Sequence, residues 1–216
     1  MSDFNITEEG VLSQLTMLDV HKSTGPDGVA PKLLNMLAVI ITPTLTNIFK
    51  QSLRLNLIPN DWKMQFITPI LKPGKDKTKA SSYRPIALTR VCSKILEHKI
   101  HCHVMDHLDN HNILSKFQHG YRSGCSTETQ LIKVIDMFAK CLQNQNQVDA
   151  IALDFSHAFD TIPHFRLLLK MNYYGIRKLN PWFKDFLRDG KQQIDPDSHL
   201  TLGIFQGPHH FHQQYP

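Results

Sequence analysis

The chain has 216 residues, of which 41% are hydrophobic, an ordinary fraction for a globular protein with a buried core. No stretch approaches 18 uninterrupted apolar residues, and the opening MSDFNITEEG lacks the basic start and apolar core of a signal peptide. We therefore expect no membrane association and a location in the cytoplasm or nucleus.

Charge is distributed unevenly along the sequence. The net charge is only +5, but residues 61–100 hold nine basic and three acidic side chains, a local excess of six. Such an excess favours a partner that carries phosphate groups, and a solvated lysine-rich loop is the alternative interpretation.

The first third of the chain reads as a turn followed by helices. KSTGPDGVAP has turn chemistry, because Pro26 and the two glycines do not fit inside a helix or strand. The apolar spacing from Pro31 to Leu57 predicts two helices divided near Thr42 and Pro43, with core packing as their role.

A hairpin is predicted next. QFITPIL and YRPIALT flank the loop KPGKDKTKASS, which predicts two strands with a lysine-rich tip. Pro69 and Pro85 place these strands at a sheet edge or a bulge, since proline has no N–H for the ladder.

The segment from Val91 to Leu108 again has helical spacing and contains several possible metal ligands. His103 and His107 lie four residues apart, yet no CxxC or HExxH motif completes a zinc site, so surface histidines are the favoured interpretation. The four cysteines are widely spaced, which is typical of reduced thiols in a reducing compartment. The cluster comprises His98, His101, Cys102, His103 and His107.

Beyond this helix, QHGYRSGCSTETQL predicts a glycine-rich loop followed by a helix. The helix is predicted to start at a capping box of Thr127 and Gln130 and to run to Leu142, where NQNQ closes it. The apolar run AIAL then predicts a short strand covered on both faces, with Asp154 at its carboxyl end. A carboxylate there is costly unless a basic side chain or a metal ion meets it.

Two helices are predicted after this strand. One runs from about Arg166 to Tyr174 and is stopped by Gly175; the other begins at Asn180 with Pro181. We find no internal repeat and no low-complexity linker, so the chain reads as one continuous unit.

Seven stretches in chain order resemble the reverse transcriptase of non-LTR (LINE-type) retrotransposons, across about residues 22–193. The resemblance implies an α+β right-hand polymerase, with fingers and an incomplete palm, helix-rich with a small antiparallel sheet. It divides the chain into a poorly defined segment 1–21, the fingers and partial palm 22–207, and a divergent tail 208–216. The stretches are KSTGPDGV, LIPNDWK, ITPILKPGK, SYRPIALT, KILEHKI, QHGYRSGCST and LDFSHAFDTIPH.

The resemblance also implies RNA-directed DNA synthesis. Its substrates would be an RNA template, a DNA primer and deoxynucleoside triphosphates, with two Mg²⁺ ions as cofactor; it does not indicate the oligomeric state. Asp154 matches the family's first metal-binding aspartate, and Phe155 matches the neighbour whose backbone carbonyl helps to hold a metal. Phe159 matches an aromatic residue that blocks a ribose 2′-hydroxyl, whereas Asp160 is expected to shape the turn.

Further site residues follow from the same resemblance. Lys72, Lys75 and Arg84 match positions in the fingers that grip the incoming triphosphate. Tyr121 and Arg122 lie in a loop that resembles the template-contacting part of these enzymes.

The C-terminal stretch departs from the family pattern. LGIFQGPHHF stands where the family has SGVPQG, so Phe205 replaces a proline while Gln206, a nucleotide-binding position, is kept. No Asp-Asp pair occurs in the sequence. We therefore expect a fragment that lacks half of the metal site and is inactive alone, with a non-enzymatic nucleic-acid-binding remnant and a His/Cys metal-binding protein as alternatives.

Overall fold

The structure is a computed structural model and describes residues 4–155, 158 and 161–194. It divides into two compact units, one formed by Met1–Val104 with His157–Pro216 and the other by Met105–Ser156. The described residues are rich in helix and contain one small sheet of three strands. None of their helices has the length and apolarity needed to cross a membrane.

The N-terminal helix α1 (Glu8–Thr16) is part of the core of the first unit. It begins after Thr7, whose hydroxyl accepts a hydrogen bond from the Gly10 N–H at 3.1 Å. Val11 and Leu15 are fully buried. The Asn35 side-chain amide donates to the carbonyl oxygens of Leu15 and Thr16, at 3.1 and 2.9 Å, and so satisfies the end of α1.

The predicted division of the next two helices was wrong. Helix α2 (Pro31–Met36) ends at Leu37, and α3 (Ala38–Leu55) runs straight through Pro43. Pro43 removes one backbone hydrogen bond, but its position in the second turn of α3 keeps that loss local. The Thr42 hydroxyl donates to the Ala38 carbonyl at 2.6 Å, which supports the turn from inside the core.

The predicted hairpin is confirmed, but its sheet is mixed rather than antiparallel. Strand β1 (Met64–Leu71) pairs antiparallel with β2 (Tyr83–Leu88), and on its other side it pairs parallel with β3 (Lys191–Ile194). The polar sequence KQQI of β3 carries no strand signal. It lies alongside β1, and runs in the same direction, only because the chain returns to the sheet after four described helices.

Register explains how the hairpin accommodates two prolines. Pro69 and Pro85 lie directly opposite each other. The Lys72 N–H donates to the Ser82 carbonyl at 2.8 Å, so Lys72 and Ser82 form a hydrogen-bonded pair. Hydrogen-bonded and non-hydrogen-bonded pairs alternate along an antiparallel ladder, so the Pro69–Pro85 pair, three positions away, is not hydrogen-bonded. Neither proline therefore costs the β1–β2 ladder a bond, and β3 ends at the pairing with Ile67, before it reaches Pro69.

Helices α4 (Val91–Asn110), α6 (His164–Tyr173) and α7 (Asn180–Phe186) confirm three helix predictions. Gly175, at φ +83°, ends α6, and Ile176 donates back to the Met171 carbonyl at 2.9 Å.

Helix α7 is tied to the start of the hairpin. Trp182 is 1% exposed, and its indole N–H donates to the Ser52 hydroxyl at 3.0 Å. The Asp185 carboxylate accepts from the Ile58 N–H at 2.8 Å and pairs with the Lys63 ammonium at 3.0 Å. These contacts hold the entry to β1 against the core.

In the second unit, helix α5 (Thr127–Gln143) confirms the predicted helix but not its cap. The N-cap is Ser126, whose hydroxyl accepts from the Thr129 N–H at 3.2 Å, while the Thr129 hydroxyl accepts from the Ser126 N–H at 2.9 Å. Serine and threonine are both favoured at the N-cap, and the extended backbone of Ser126 makes it the cap. Helix α5 ends at Asn144, the first residue of NQNQ, as expected.

Candidate nucleotide and nucleic-acid interface

The loop between β1 and β2, residues 72–82, is hereafter the basic tip. It opens with a tight turn in which the Lys75 N–H donates to the Lys72 carbonyl at 3.2 Å. Pro73 and Gly74 occupy its centre, and Gly74 has φ +70°, a conformation that glycine adopts without strain.

Hydrogen bonds fix the rest of the tip. The Asp76 carboxylate accepts from the N–H and the hydroxyl of Thr78 at 2.9 and 2.8 Å, and these bonds hold the pKa of Asp76 below its usual value. The Tyr83 hydroxyl donates to the Lys77 carbonyl at 2.9 Å. The Lys72 ammonium donates to the Ser81 carbonyl at 2.8 Å.

The hairpin brings the three predicted phosphate-binding residues onto one structure. Arg84 lies opposite Ile70, and Lys72 directly follows the last residue of β1. Arg84 and Lys75 are exposed and Lys72 is half-buried. Because an ammonium has three donors, the bond from Lys72 to Ser81 leaves two for another acceptor.

Two further lysines of the tip were missing from the predicted site. Lys77 and Lys79 are both exposed, and Asp76 is the single acidic residue among residues 72–82. The local charge excess was the signal that could have identified them. The tip therefore presents an exposed positive surface on a backbone fixed by hydrogen bonds.

The GPDG turn packs against the end of β2. A Cβ atom added to Gly25 would lie 2.7 Å from the Thr89 carbonyl oxygen and 2.9 Å from the Arg90 Cα, so only glycine fits there without a shift of backbone. Asp27 faces the Arg90 guanidinium, with 3.8 Å between Oδ2 and Nε. This packing fixes the chain where β2 leads into α4.

In the second unit, residues 116–126 form a loop with exposed aromatic rings, here called the aromatic loop. Tyr121 is 61% exposed and has φ +59°, an uncommon conformation for a residue with a side chain. Phe117 is 73% exposed, and the Lys116 ammonium lies 5.4 Å from its ring centroid. Sequence reasoning missed Phe117, although it lies only one residue before QHGYRSGCST.

Arg122, the other predicted template contact, is engaged within the protein. Its guanidinium pairs with the Asp109 carboxylate at 2.9 Å. His119, at the base of the aromatic loop, is buried and hydrogen-bonds with the Thr129 hydroxyl at 2.8 Å. These two contacts anchor the loop. Arg122 therefore has a partner within the protein.

The prediction of a buried strand before Asp154 was wrong. Residues 147–155 have no regular secondary structure, and Ile151 and Leu153 are 85% and 84% exposed. A strand must pair its backbone N–H and C=O groups with a neighbour, and the described sheet consists of β1, β2 and β3 alone. Asp154 and Phe155 accordingly lie on an exposed irregular segment and not at the end of a buried strand.

Comparison with known proteins decides the family. The family model described as reverse transcriptase (RNA-dependent DNA polymerase) matches residues 70–214. The chain belongs to the reverse transcriptase family. The match contains the β1–β2 hairpin from Ile70 onward, the aromatic loop and the segment of Asp154.

Curated relatives place this chain with the reverse transcriptases of non-LTR retrotransposons. The probable RNA-directed DNA polymerase from transposon BS of Drosophila melanogaster is 32% identical over 179 residues, which are 80% of this chain and 20% of that protein. The probable polymerase from the X-element of the same fly is 28% identical over 193 residues, 87% and 21% of the two chains. The RNA-directed DNA polymerase from mobile element jockey is 28% identical over 208 residues, 94% and 23%. The chain thus spans about a fifth of the length of these relatives.

A reverse transcriptase is expected to use two Mg²⁺ ions, and the described residues do not by themselves form such a site. They contain no group of three or more His, Cys, Asp or Glu side chains that could hold a metal ion. Mg²⁺ binding to protein calls for carboxylate oxygens placed together. In the part of the chain that the structure describes, Asp154 has no such group around it.

The histidines of α4 do not form a metal site either. His103 stacks on the Phe4 ring with 4.7 Å between centroids, and His107 is buried, with its ring 4.3 Å from that of His111. The prediction of surface histidines was therefore wrong for His107, which is part of the packing at the end of α4.

Three residues named from the sequence, Phe159, Asp160 and Gln206, lie outside the described residues.

Proposed function

We propose that this chain is the fingers and the first part of the palm of a right-hand RNA-directed DNA polymerase. In it, the basic tip and Arg84 bind the phosphates of the incoming deoxynucleoside triphosphate. The observation that carries the proposal is the hairpin, because Arg84 is the second residue of β2 and the tip that carries Lys72 and Lys75 connects β1 to this end of β2. Family membership supplies the reaction class.

The side chains suit this ligand chemically. Arg84 is exposed, and its planar guanidinium can donate two parallel hydrogen bonds to one phosphate group. Lys75 and Lys72 act as point charges that offset the negative charge of a triphosphate. Phosphoryl transfer depends mainly on positioning and charge stabilisation, which is what such a cluster provides.

The aromatic loop is proposed to contact the template. Tyr121 presents an exposed ring on which a base can stack, and stacking contributes about 1–3 kcal/mol per base. Arg122 is proposed to contact a template phosphate while it keeps Asp109 as its partner.

Asp154 is proposed to contribute one carboxylate of a two-ion site, with the Phe155 carbonyl beside it. Phe159 is proposed to select against a ribose 2′-hydroxyl, and Gln206 to contact the nucleotide. Because the described residues contain no group of three or more candidate metal ligands, we expect this chain to bind substrates without extending a primer.

The test is a triple variant, Lys72→Ala, Lys75→Ala and Arg84→Ala. Its affinity for deoxyadenosine triphosphate should fall at least about tenfold, because charge-assisted hydrogen bonds are lost. For a single-stranded RNA oligonucleotide, the slope of log affinity against log salt should flatten by about 2, since each phosphate contact contributes about 0.7.

A control of equal charge removes Lys32, Lys50 and Arg177, which are exposed and lie outside the hairpin. This control should keep the affinity and slope of the parent chain. An unchanged slope in the hairpin variant, or an equal change in the control, would show that the hairpin does not bind phosphate.

A further inference from the structure

The Tyr83 side chain spans the boundary between the core and the basic tip. Tyr83 is the first residue of β2 and is 8% exposed, so its ring is held by packing. Its hydroxyl leaves the core and donates to the backbone carbonyl of Lys77 at 2.9 Å. The bond joins a rigid element to the middle of a charged loop.

Asp76 provides a second connection, at the neighbouring residue. Its Oδ1 accepts from both the N–H and the hydroxyl of Thr78, and its carbonyl accepts from the Lys79 N–H at 3.3 Å. The backbone that carries Lys75, Lys77 and Lys79 is thus fixed at two adjacent residues, Asp76 and Lys77. Both connections lie inside the tip and leave the lysine side chains exposed.

Such connections matter because like charges within a short loop repel one another and favour a wide ensemble of conformations. A ligand that binds this ensemble must order the loop and loses affinity for that reason. A loop ordered in advance avoids this loss. The number of lysine–phosphate contacts is unchanged, so pre-ordering raises affinity without altering the salt dependence.

We propose that Tyr83 and Asp76 are positioning residues, which hold Lys75, Lys77 and Lys79 in the arrangement that binds a chain of phosphate groups. The inference rests on the proposed function and extends it to these two residues and to Lys77 and Lys79. A nucleoside triphosphate and a nucleic-acid backbone share this chemistry, so the experiment uses a probe for each: inorganic tripolyphosphate and a single-stranded RNA oligonucleotide.

The first variant is Tyr83→Phe, which keeps the buried ring and removes only the hydroxyl. We expect affinity for one or both probes to fall by about two- to tenfold, the usual range for one hydrogen bond. The salt slope for RNA should stay that of the parent chain, in contrast to the lysine and arginine variants. Tyr173→Phe is the matched control, because Tyr173 is 85% exposed and lies on α6.

The second pair of variants is Asp76→Asn and Asp76→Ala, which remove the same charge. Asparagine keeps the oxygen that accepts from Thr78, whereas alanine does not. We expect Asp76→Asn to bind phosphate at least as tightly as the parent chain and Asp76→Ala to bind about two- to tenfold more weakly than Asp76→Asn.

The outcomes separate the two proposals. If the triple hairpin variant keeps its salt slope, the proposed function fails and this inference with it. If the triple variant loses its slope while Tyr83→Phe matches the parent and the two Asp76 variants bind equally, the positioning role alone is overturned. Weaker binding of tripolyphosphate assigns the tip to the triphosphate, and weaker binding of RNA alone assigns it to the backbone of a nucleic acid.

Discussion

The β1–β2 hairpin and residues 148–155 are both stretches of apolar sequence next to residues with a proposed role in polymerase chemistry. The hairpin forms a paired, half-buried structure, in which Ile67 is 5% exposed and hydrogen bonds fix the backbone of the basic tip. Residues 148–155 form no strand, and Ile151 is 85% exposed. The same residue type thus lies in the core in one region and in solvent in the other.

The difference lies in where each stretch finds its partner. The two strands of the hairpin follow each other along the chain, and the basic tip, which begins with the turn at Pro73 and Gly74, connects them. A strand covered on both faces needs neighbours from distant parts of a sequence, because parallel pairing requires a long crossover. Local turn chemistry therefore specifies the hairpin, while apolar composition alone leaves residues 148–155 unpaired.

The largest expected effect comes from adding palm sequence. We extend the chain with the segment that follows the matched region in the X-element polymerase. Pairing of residues 148–155 in a palm sheet should protect their amides from hydrogen exchange, and primer extension on an RNA template with Mg²⁺ should appear. Asp154→Asn in the extended chain should lower the rate at least about 10³-fold, because the proposed metal anchor is lost.

The unextended chain and its Asp154→Asn variant serve as controls. Neither should give more product than a blank reaction. Asp154-dependent extension by the unextended chain would contradict both the unpaired state of residues 148–155 and the proposal that this chain binds substrates without catalysis.

The next test compares isoleucines in the two regions. Ile67→Ala should lower the free energy of unfolding by about 2–5 kcal/mol, since it removes buried methylenes from the sheet face that packs on the core. Ile151→Ala should change it by less than about 0.5 kcal/mol, because its side chain is already in solvent. Urea unfolding followed by circular dichroism measures both, and equal losses would remove the distinction between the regions.

A smaller effect is expected from glycines in the two units. Gly25→Ala places a Cβ 2.7 Å from the Thr89 carbonyl oxygen, so backbone must move, at a cost of about 1–3 kcal/mol. A Cβ on Gly120, in the aromatic loop, meets nothing within 4 Å, so Gly120→Ala should stay within about 0.5 kcal/mol of the parent chain. Thermal unfolding of the two variants measures both losses of stability. A larger loss for Gly120→Ala would show that the aromatic loop is more tightly packed around Gly120 than the open space there indicates.

The smallest effect concerns a thiol that follows the hairpin. Burial, with a lesser contribution from the Asp27 charge, raises the pKa of Cys92 from 9.0 to about 11. A group with a raised pKa in the folded state stabilises the fold below its unfolded pKa. This contribution should therefore decline as pH rises from 9.0 toward 11.

Alkylation provides the measurement. At about pH 8.5, where an ordinary thiol is half ionised, iodoacetamide should modify Cys92 more slowly than Cys102, which is exposed on the same helix. Unfolding in urea should equalise the two rates. Equal rates in the folded protein would contradict the partial burial of Cys92.

The features of the candidate site likewise fall into two groups, those that the sequence predicted and those that it did not. Lys72, Lys75 and Arg84 were predicted from a charge excess and a family resemblance, and all three lie on the hairpin, Arg84 in β2 and the lysines in the basic tip. The pairing of Arg122 with Asp109 could not be predicted, because the two lie thirteen positions apart in sequence and nothing in their spacing indicates contact.

The sequence by itself determined the features whose causes are local. These are the hairpin and its turn, the helix of residues 127–143, the end of α6 at Gly175 and the start of α7 at Asn180. Only the tertiary structure decided that β3 pairs parallel with β1, that α3 continues through Pro43, and that residues 148–155 remain exposed. Each of these features depends on residues that are distant in sequence. Contacts with such residues either outweigh the local propensity or, for residues 148–155, do not form the pairing that the local propensity favours. Pairing and burial are properties of two segments at once, so the pattern of one segment does not fix them.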